Sequence, residues 1–385
     1  MADVHLGARH DDLGEVAAKQ RERQFAAFSR AVDAAIERRV DIVLIGGDLF
    51  DSNAQPRRSV ERAAGELKRL ADRQIRTVLI PGTHDCYDPT SIYRVFDLRA
   101  MAGLPAGSDL LTVLTPGSPS IVFGDLDVAV HGRVFSTKRQ PQSPFHGFDK
   151  VLAGAPARYA VGMIHGSLRI EGKVESDDVL FTQEEVAASG LHYLALGHWH
   201  SMRQGRAGGT TWAYSGAPEP VAVDQDGAGQ VLAITLGGTP ERPTVSIEPI
   251  AVGRTRFRHL DVDVAGLASQ DELVRQLRAL ADPDLVLDVK LLGVAADALD
   301  LNTDEVERQM RDAFFGFRIR DTSIAALPEG PLPPPDTIAG VFTRDLQTRI
   351  AAADTAGAED VAAEHREALR LLRVLLDDPQ RVTLV

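Results

Sequence analysis

The sequence holds one cysteine, Cys86, among 385 residues. No internal disulfide framework can therefore brace it, and a reducing compartment such as the cytoplasm suits it. No apolar run is long enough to span a bilayer, and the first residues do not read as a signal peptide. A cytoplasmic protein with no membrane association is expected. General basicity is also missing. A net charge of -13 argues against a protein that coats nucleic acid through overall positive charge. A nuclease stays open, because bound cations and a local basic strip reverse the field where a phosphate sits. What remains, 44% apolar and 25% charged, is ordinary for a globular chain. The length fits two domains, or one large domain with an appendage.

The first part alternates helix and strand. Phe25, Phe28, Val32, Ala35 and Ile36 recur at helical spacing between Lys19 and Arg39. Ile42-Val43-Leu44-Ile45 then reads as a buried parallel strand that stops at Gly46-Gly47. A second helix carries Val60, Ala64, Leu67 and Leu70, and a second strand, Thr77–Ile80, closes at Pro81-Gly82. This αβαβ order predicts a layered α/β sheet with right-handed crossovers. From about Leu111 to Ile250 short strands alternate with Gly, Pro and Asp turns, the clearest being Ile121–Phe123, Val128–His131, Tyr159–Ile164, Tyr193–Leu196 and Val231–Leu236. From about Gly253 a strand-like Leu260–Val264, a helix near Gln270–Leu280, a strand Leu285–Leu292 and a helix near Thr303–Ala313 predict a small βαβα domain. Pro328 to Pro335 reads as a stiff linker. Two helices follow, about Ala339–Ala352 and Glu359–Leu376, joined by a Gly-containing turn. The expected boundaries are 1–252, 253–327, a linker at 328–338, and a helical tail at 339–385.

Five motifs carry the chemistry: Asp3-Val4-His5, Gly47-Asp48-Leu49-Phe50-Asp51, Gly82-Thr83-His84-Asp85, Ile164-His165-Gly166 and Gly197-His198-Trp199-His200. Singly each is weak, since a lone His near a strand end is usually a hydrogen-bonded structural residue and a lone Asp a helix cap. Their joint placement changes the reading. Asp48, Thr83-His84, His165 and His198 each follow an apolar strand, and in a parallel sheet such strand ends converge at one edge. Imidazole and carboxylate donors suit Mn, Fe or Zn. A carboxylate such as Asp48 can bridge two cations. A pair roughly 3.5–4 Å apart binds a hydroxide and stabilises both the attacking and the leaving oxygen at phosphorus.

The order Asp-x-His, Gly-Asp-x-Phe-Asp, Gly-x-His-Asp, His-Gly, Gly-His-x-His resembles the calcineurin-like metallophosphoesterases. Within them it looks most like the DNA-repair nuclease branch, the D subunit of SbcCD complexes and its relatives. The opening Ala2-Asp3-Val4-His5-Leu6-Gly7 and the long Gly-Gly-Asp-Leu-Phe-Asp form carry that finer likeness. The resemblance implies an α/β fold, a layered αββα sandwich with a small α+β capping domain and a helical tail. It implies two divalent cations, Mn first with Fe, Zn or Mg as alternatives. Asp3, His5, Asp48 and His200 would hold the first; Asp48, Thr83, His165 and His198 would hold the second. His84 would sit near the scissile phosphate, with Asp85 orienting its imidazole. The implied activity is that of a DNA exonuclease, with endonuclease action on ends or hairpins, in repair and recombination. The implied partners are DNA, an SbcC-type coiled-coil ATPase docking on the tail helices, and a second copy of the chain. A phosphodiesterase for nucleotides or small phosphate esters, and a weakly active DNA-binding scaffold with a degraded second metal site, are the alternatives.

Two departures stand out. The family has Asn where this chain has Thr83, a shorter and poorer neutral ligand. Relatives also begin with several apolar residues before Ala-Asp-x-His. Here Met1-Ala2 comes first, which predicts either a start placed too late or a frayed terminus. Arg254, Arg256 and Arg258 alternate and would place three charges on one strand face, suited to phosphate or equally to edge protection. His131 and His146 read as surface or hydrogen-bonding residues, Cys86 and Tyr214-Ser215-Gly216 as packing, and His10-Asp11-Asp12 as polar residues beside DNA. Ala362, Ala363, Leu369, Leu372 and Leu375 form one apolar side of the last helix.

Overall fold

The computed structural model describes residues 1–379 except 141, 175, 223–224, 226, 240–241, 297–298 and 326–330. Part of the expected linker, 328–330, thus lies outside the described residues. The chain divides into two compact units, Met1–Thr255 and Arg256–Val385.

In the first unit, α1 (Ala17–Glu37) and α2 (Arg57–Ala71) flank β1 (Ile42–Gly46) and β2 (Arg76–Ile80), which pair in parallel. β3 (Leu111–Val113) extends this sheet. Side chains alternate across it. Leu79 packs with Phe28, Val32, Leu67 and Leu70 of the helices, while Val78 and Ile80 face the second sheet. Each fully buried Leu or Phe of this kind contributes roughly 1.5–3 kcal/mol.

The second sheet holds β4 (Ser120–Phe123), β5 (Val128–Arg133), β6 (Tyr159–His165), β9 (Tyr193–Gly197), β10 (Arg203–Ala207) and β11 (Thr210–Tyr214), in the order β10-β11-β9-β6-β5-β4. β5, β6, β9 and β11 run in parallel. The short pair β7 (Ser167–Leu168) and β8 (Leu180–Phe181) follows β6. Val130, Val161 and Met163 meet Val78 and Ile80 between the sheets. Phe148 and Val186, on the helices Phe148–Ala153 and Gln183–Ala188, cover the other face. Helix, sheet, sheet, helix is therefore the layer order. A hairpin of β12 (Gln230–Thr239) and β13 (Arg242–Ala251) completes the unit.

The first six residues are not frayed. The Met1 amine donates to the Leu44 carbonyl at 3.0 Å, and Gly46 N donates to Met1 O at 2.9 Å. Asp3 N, His5 N and Leu6 N then donate in turn to the carbonyls of Gly47, Asp48 and Leu49. Ala2 through Leu6 are all buried. A ladder that pairs two motifs with each other holds both in place, which overturns the expectation of a loose terminus.

The second unit contains β14 (Arg256–Asp263), β15 (Asp282–Leu292) and β16 (Phe314–Asp321), a parallel sheet ordered β14-β15-β16. The helices Gln270–Arg278 and Thr303–Met310 bury Leu273, Leu277, Val306 and Met310 against Leu287, Val289 and Leu291. β16 was not expected from the sequence, which reads as helix up to Ala313. The tail forms helices Ile338–Ala356 and Glu359–Asp377, with Gly357 in the left-handed region (φ 68°) between them. Ala362, Leu369 and Val374 are the buried positions of the last helix, whereas Ala363 and Leu375, expected on its apolar side, are exposed. Among the described residues no helix is long and apolar enough to cross a membrane.

Candidate metal centre

The parallel strands β1, β2, β6 and β9 deliver their last residues to one place. Asp48 follows β1, Thr83 and His84 follow β2, His165 ends β6, and His198 and His200 follow β9. Asp3 and His5 arrive along the ladder to the β1 loop. Donor atoms of Asp3, His5 and His200 lie within 4.8 Å of one another, as do those of His5, Asp48 and His84, and those of Asp3, Asp48 and His165. These three groups share residues, so they form one continuous pocket. Asp3, Asp48 and His165 are fully buried.

The backbone is bent to achieve this. Asp3, His5, Asp48 and His198 have φ of 55°, 50°, 50° and 102°, four of the eight described non-glycine residues with positive φ. Such conformations are costly for ordinary residues and gather where function over-determines the structure. Gly82 is required for the same closeness: a Cβ there would lie 2.2 Å from Asp48 Oδ1. Gly47 (φ 98°) would place one 2.3 Å from His165 Nδ1.

Hydrogen bonds set which imidazole nitrogen is available. His165 Nδ1 lies 2.9 Å from the Gly46 carbonyl, which can only accept, so Nδ1 carries the proton. In the neutral ring Nε2 is then the lone-pair atom. It is buried with no hydrogen bond of its own, 3.1 Å from Asp48 Oδ2. An orphaned buried nitrogen facing a carboxylate fits a cation between them. His5 repeats the pattern: Nδ1 is 3.2 Å from Asp51 Oδ1, and Nε2 is 3.1 Å from His200 Nε2. On the far side of His200, Nδ1 meets the Gln225 amide at 2.6 Å.

The field is strongly anionic. Burial opposes charge on His165, yet Asp48 outweighs it and pushes the imidazole pKa up to about 10. Burial likewise opposes charge on His5, and Asp51, Asp48 and Asp3 raise its pKa. In return, against its own burial, His165 and His5 hold the Asp48 carboxyl far below the usual range. Burial lowers the pKa of His200. A pocket that pulls protons onto its imidazoles in this way offers the same attraction to a divalent cation.

Other predicted residues are placed as follows. Thr83 is buried, and its hydroxyl lies 3.4 Å from Asp48 Oδ2. The ring of His198 stands 5.3 Å from that of His165, and its amide donates to both oxygens of Asp3 at 2.9 and 3.1 Å. His84 is half exposed, and its ring meets that of His5 edge-on at 4.7 Å. Asp85 does not orient it. The Asp85 carboxyl is buried beneath the loops, accepting from Gly82 N at 2.7 Å, Phe50 N at 3.1 Å and the Tyr93 hydroxyl. Burial, reinforced by Asp48, pushes its pKa up to about 6. The group beside the His84 imidazole is Asp51, whose carbonyl is 2.9 Å from Nδ1.

Arg254, Arg256 and Arg258 do not all lie on one strand. β14 begins at Arg256, so Arg254 precedes the strand, its amide bonded to Glu219. The Arg256 guanidinium is paired with Asp282. Arg258 is exposed. His10 is buried. His131 is buried against Phe148, with Nδ1 2.9 Å from the Ser120 hydroxyl.

Sequence reasoning assigned no role to Asp51, Tyr93, Asp177 or Gln225. Asp51 sits inside a motif and could have been weighed there. Tyr93, Asp177 and Gln225 belong to no periodic pattern, and only the fold brings them near the site.

Residues 1–202 match the calcineurin-like phosphoesterase family. Over 275 residues the chain is 30% identical to the DNA double-strand break repair protein Mre11 of Aeropyrum pernix, covering 69% of this chain and 63% of that protein. The protein of the same name from Sulfurisphaera tokodaii is 23% identical over 263 residues, 64% of this chain and 62% of that one. The uncharacterized metallophosphoesterase YhaO of Bacillus subtilis is 24% identical over 208 residues, 52% of this chain and 48% of that one. The matched stretch spans less than two thirds of the length of these curated relatives.

Proposed function

The chain belongs to the calcineurin-like phosphoesterase family, and on that premise we propose that it is a metal-dependent DNA nuclease that hydrolyses phosphodiester bonds at ends or hairpins. The observation that supports this most is the gathering of Asp3, His5, Asp48, His165 and His200 into one buried pocket, in a chain similar to DNA double-strand break repair proteins.

Asp3, His5, Asp48 and His200 would hold one divalent cation, and Asp48, Thr83, His165 and His198 the other. The nitrogen and oxygen donors suit Mn, with Fe, Zn or Mg as substitutes. When bound, such a pair acidifies water and offsets charge at phosphorus. The chain's own residues do the rest. Asp51 holds His84 through Nδ1 and His5 through its own Nδ1. His84 Nε2 is thereby left on a half-exposed ring, where the imidazolium form would give its Nε2 proton to the leaving oxygen. Asp85 ties the Gly82 and Phe50 loops together so that Asp48 and His84 keep their spacing.

The second unit would guide duplex DNA, with Arg256 and the exposed Arg258 on its first strand and Arg254 just before it in sequence. The tail helices expose Ile338, Val341, Phe342 and Leu376, which suits helix docking by an SbcC-type coiled-coil ATPase. A homodimer and action in DNA recombination belong to the same reading.

The test is a cleavage assay of purified protein on hairpin and blunt-end DNA in Mn, beside a chromogenic phosphodiester. Cutting of the DNA supports the nuclease. Turnover of the small diester alone would replace it with a nucleotide or small-ester phosphodiesterase.

A further inference from the structure

His198 stands apart from the other candidate ligands in how it is held. Its Nε2 lies 3.3 and 3.2 Å from the two oxygens of Asp177. A carboxylate in that position accepts, so Nε2 carries the proton and Nδ1 keeps the lone pair. Asp177 is itself anchored. The Ser167 hydroxyl donates to it, and the amide of Asp178 donates to Oδ1 at 2.6 Å. Ser167 is fully buried and accepts from the Trp199 indole at 2.7 Å. Trp199 stacks on Tyr214 at 4.5 Å, and the Tyr214 hydroxyl bonds Gly166 O at 2.8 Å and Leu168 N at 2.9 Å. The two residues flanking Trp199 are the histidines of the last motif. One connected network therefore runs from the loop after His165 to the ring of His198.

We propose that Asp177 is a positioning residue for the second cation: it fixes the Nε2–H tautomer and the ring orientation of His198, and the Ser167–Trp199–Tyr214 network fixes Asp177. This rests on the reading of His198 as a ligand of that cation. Carboxylates that accept from a ligating imidazole set its tautomer and raise its basicity, and their loss typically costs 10–100-fold in metal affinity. The pair is half-buried, with side-chain exposures of 22% and 26%, so solvent competes with it only in part. Asp177 thus differs from the surface carboxylates of this acidic chain, most of which face no candidate ligand.

Two measurements on the full chain test this. The first needs no metal. Long-range proton–nitrogen correlation spectra of histidine-labelled protein at pH 8 read the His198 tautomer directly. Wild type should show Nε2–H. Asp177→Ala should lose that preference, and Asp177→Asn should restore it, because the amide oxygen can accept the same proton. The second is a Mn titration followed by electron paramagnetic resonance. Wild type should bind two ions. Asp177→Ala should keep the first and weaken the second by about 10–100-fold, with Asp177→Asn between. Two ions in wild type and an unchanged tautomer and second site in Asp177→Ala would overturn the proposal alone. Equal weakening of both sites with a lower melting temperature would also overturn it, as general damage. A wild type that binds a single ion would refute the two-cation reading, and the proposal would fall with it.

Discussion

The imidazole of His84 is held by the carbonyl of Asp51, 2.9 Å from Nδ1, and not by its neighbour in sequence, Asp85. The ring is edge-on to His5 at 4.7 Å yet half exposed. That combination suits a group which meets substrate rather than one buried among ligands. His84→Ala should therefore leave two cations bound while lowering the DNA cleavage rate by about 10²–10⁴-fold, the range of general acid–base catalysis. Metal content by mass spectrometry and single-turnover cleavage would check both halves. Full activity in this variant would remove His84 from the chemistry.

Asp85 has the opposite character. Its buried carboxyl accepts hydrogen bonds from two backbone amides and the Tyr93 hydroxyl. Asp85→Ala leaves the two amides without an acceptor, at about 1–3 kcal/mol each. The melting temperature should drop by several degrees, and Tyr93→Phe should cost less than half as much. A melting curve unchanged in Asp85→Ala would contradict the role given to this residue.

The fold and most of the site were legible because each rests on a local signal. Ile42–Ile45 and Thr77–Ile80 announce parallel strands through apolar runs that stop at Gly46-Gly47 and Pro81-Gly82, and candidate ligands stand directly after them. Asp48 and His165 could be placed in one pocket on that basis alone. The rest required tertiary information. Hydrogen bonding, not sequence adjacency, decided that Asp51 rather than Asp85 faces His84. Asp177 stands in a short acidic run without periodicity, and nothing before folding distinguishes it from Asp178. The ladder from Met1 to Leu6 pairs one motif with another, so neither segment predicts it by itself.

Thr83 occupies the position where the resembled family has Asn, and its hydroxyl reaches Asp48 Oδ2 only at 3.4 Å. On the proposed two-cation reading, Thr83→Asn should tighten the second cation by less than about tenfold, 1.4 kcal/mol. Cleavage should change little. Calorimetric Mn titration and the hairpin assay would show this. A variant that gains cleavage from a nearly inactive wild type would point instead to a decayed site.

His131 is buried against Phe148, and burial lowers its pKa from the ordinary 6.5. The folded chain therefore binds this proton less readily than the unfolded chain. Stability from the neutral ring is present above about pH 6.5 and is lost as the pH falls below it. The wild type should lose stability relative to His131→Phe on acidification from pH 7.5 to 5.5, read as the difference between their melting temperatures. A difference constant with pH would contradict the shift.

The most direct test is anomalous diffraction from crystals soaked in Mn. Two peaks roughly 3.5–4 Å apart, sharing Asp48 and flanked by His5 and His200 on one side and His165 and His198 on the other, are predicted. One peak, or two peaks that do not share Asp48, would contradict a paired-cation centre in this chain.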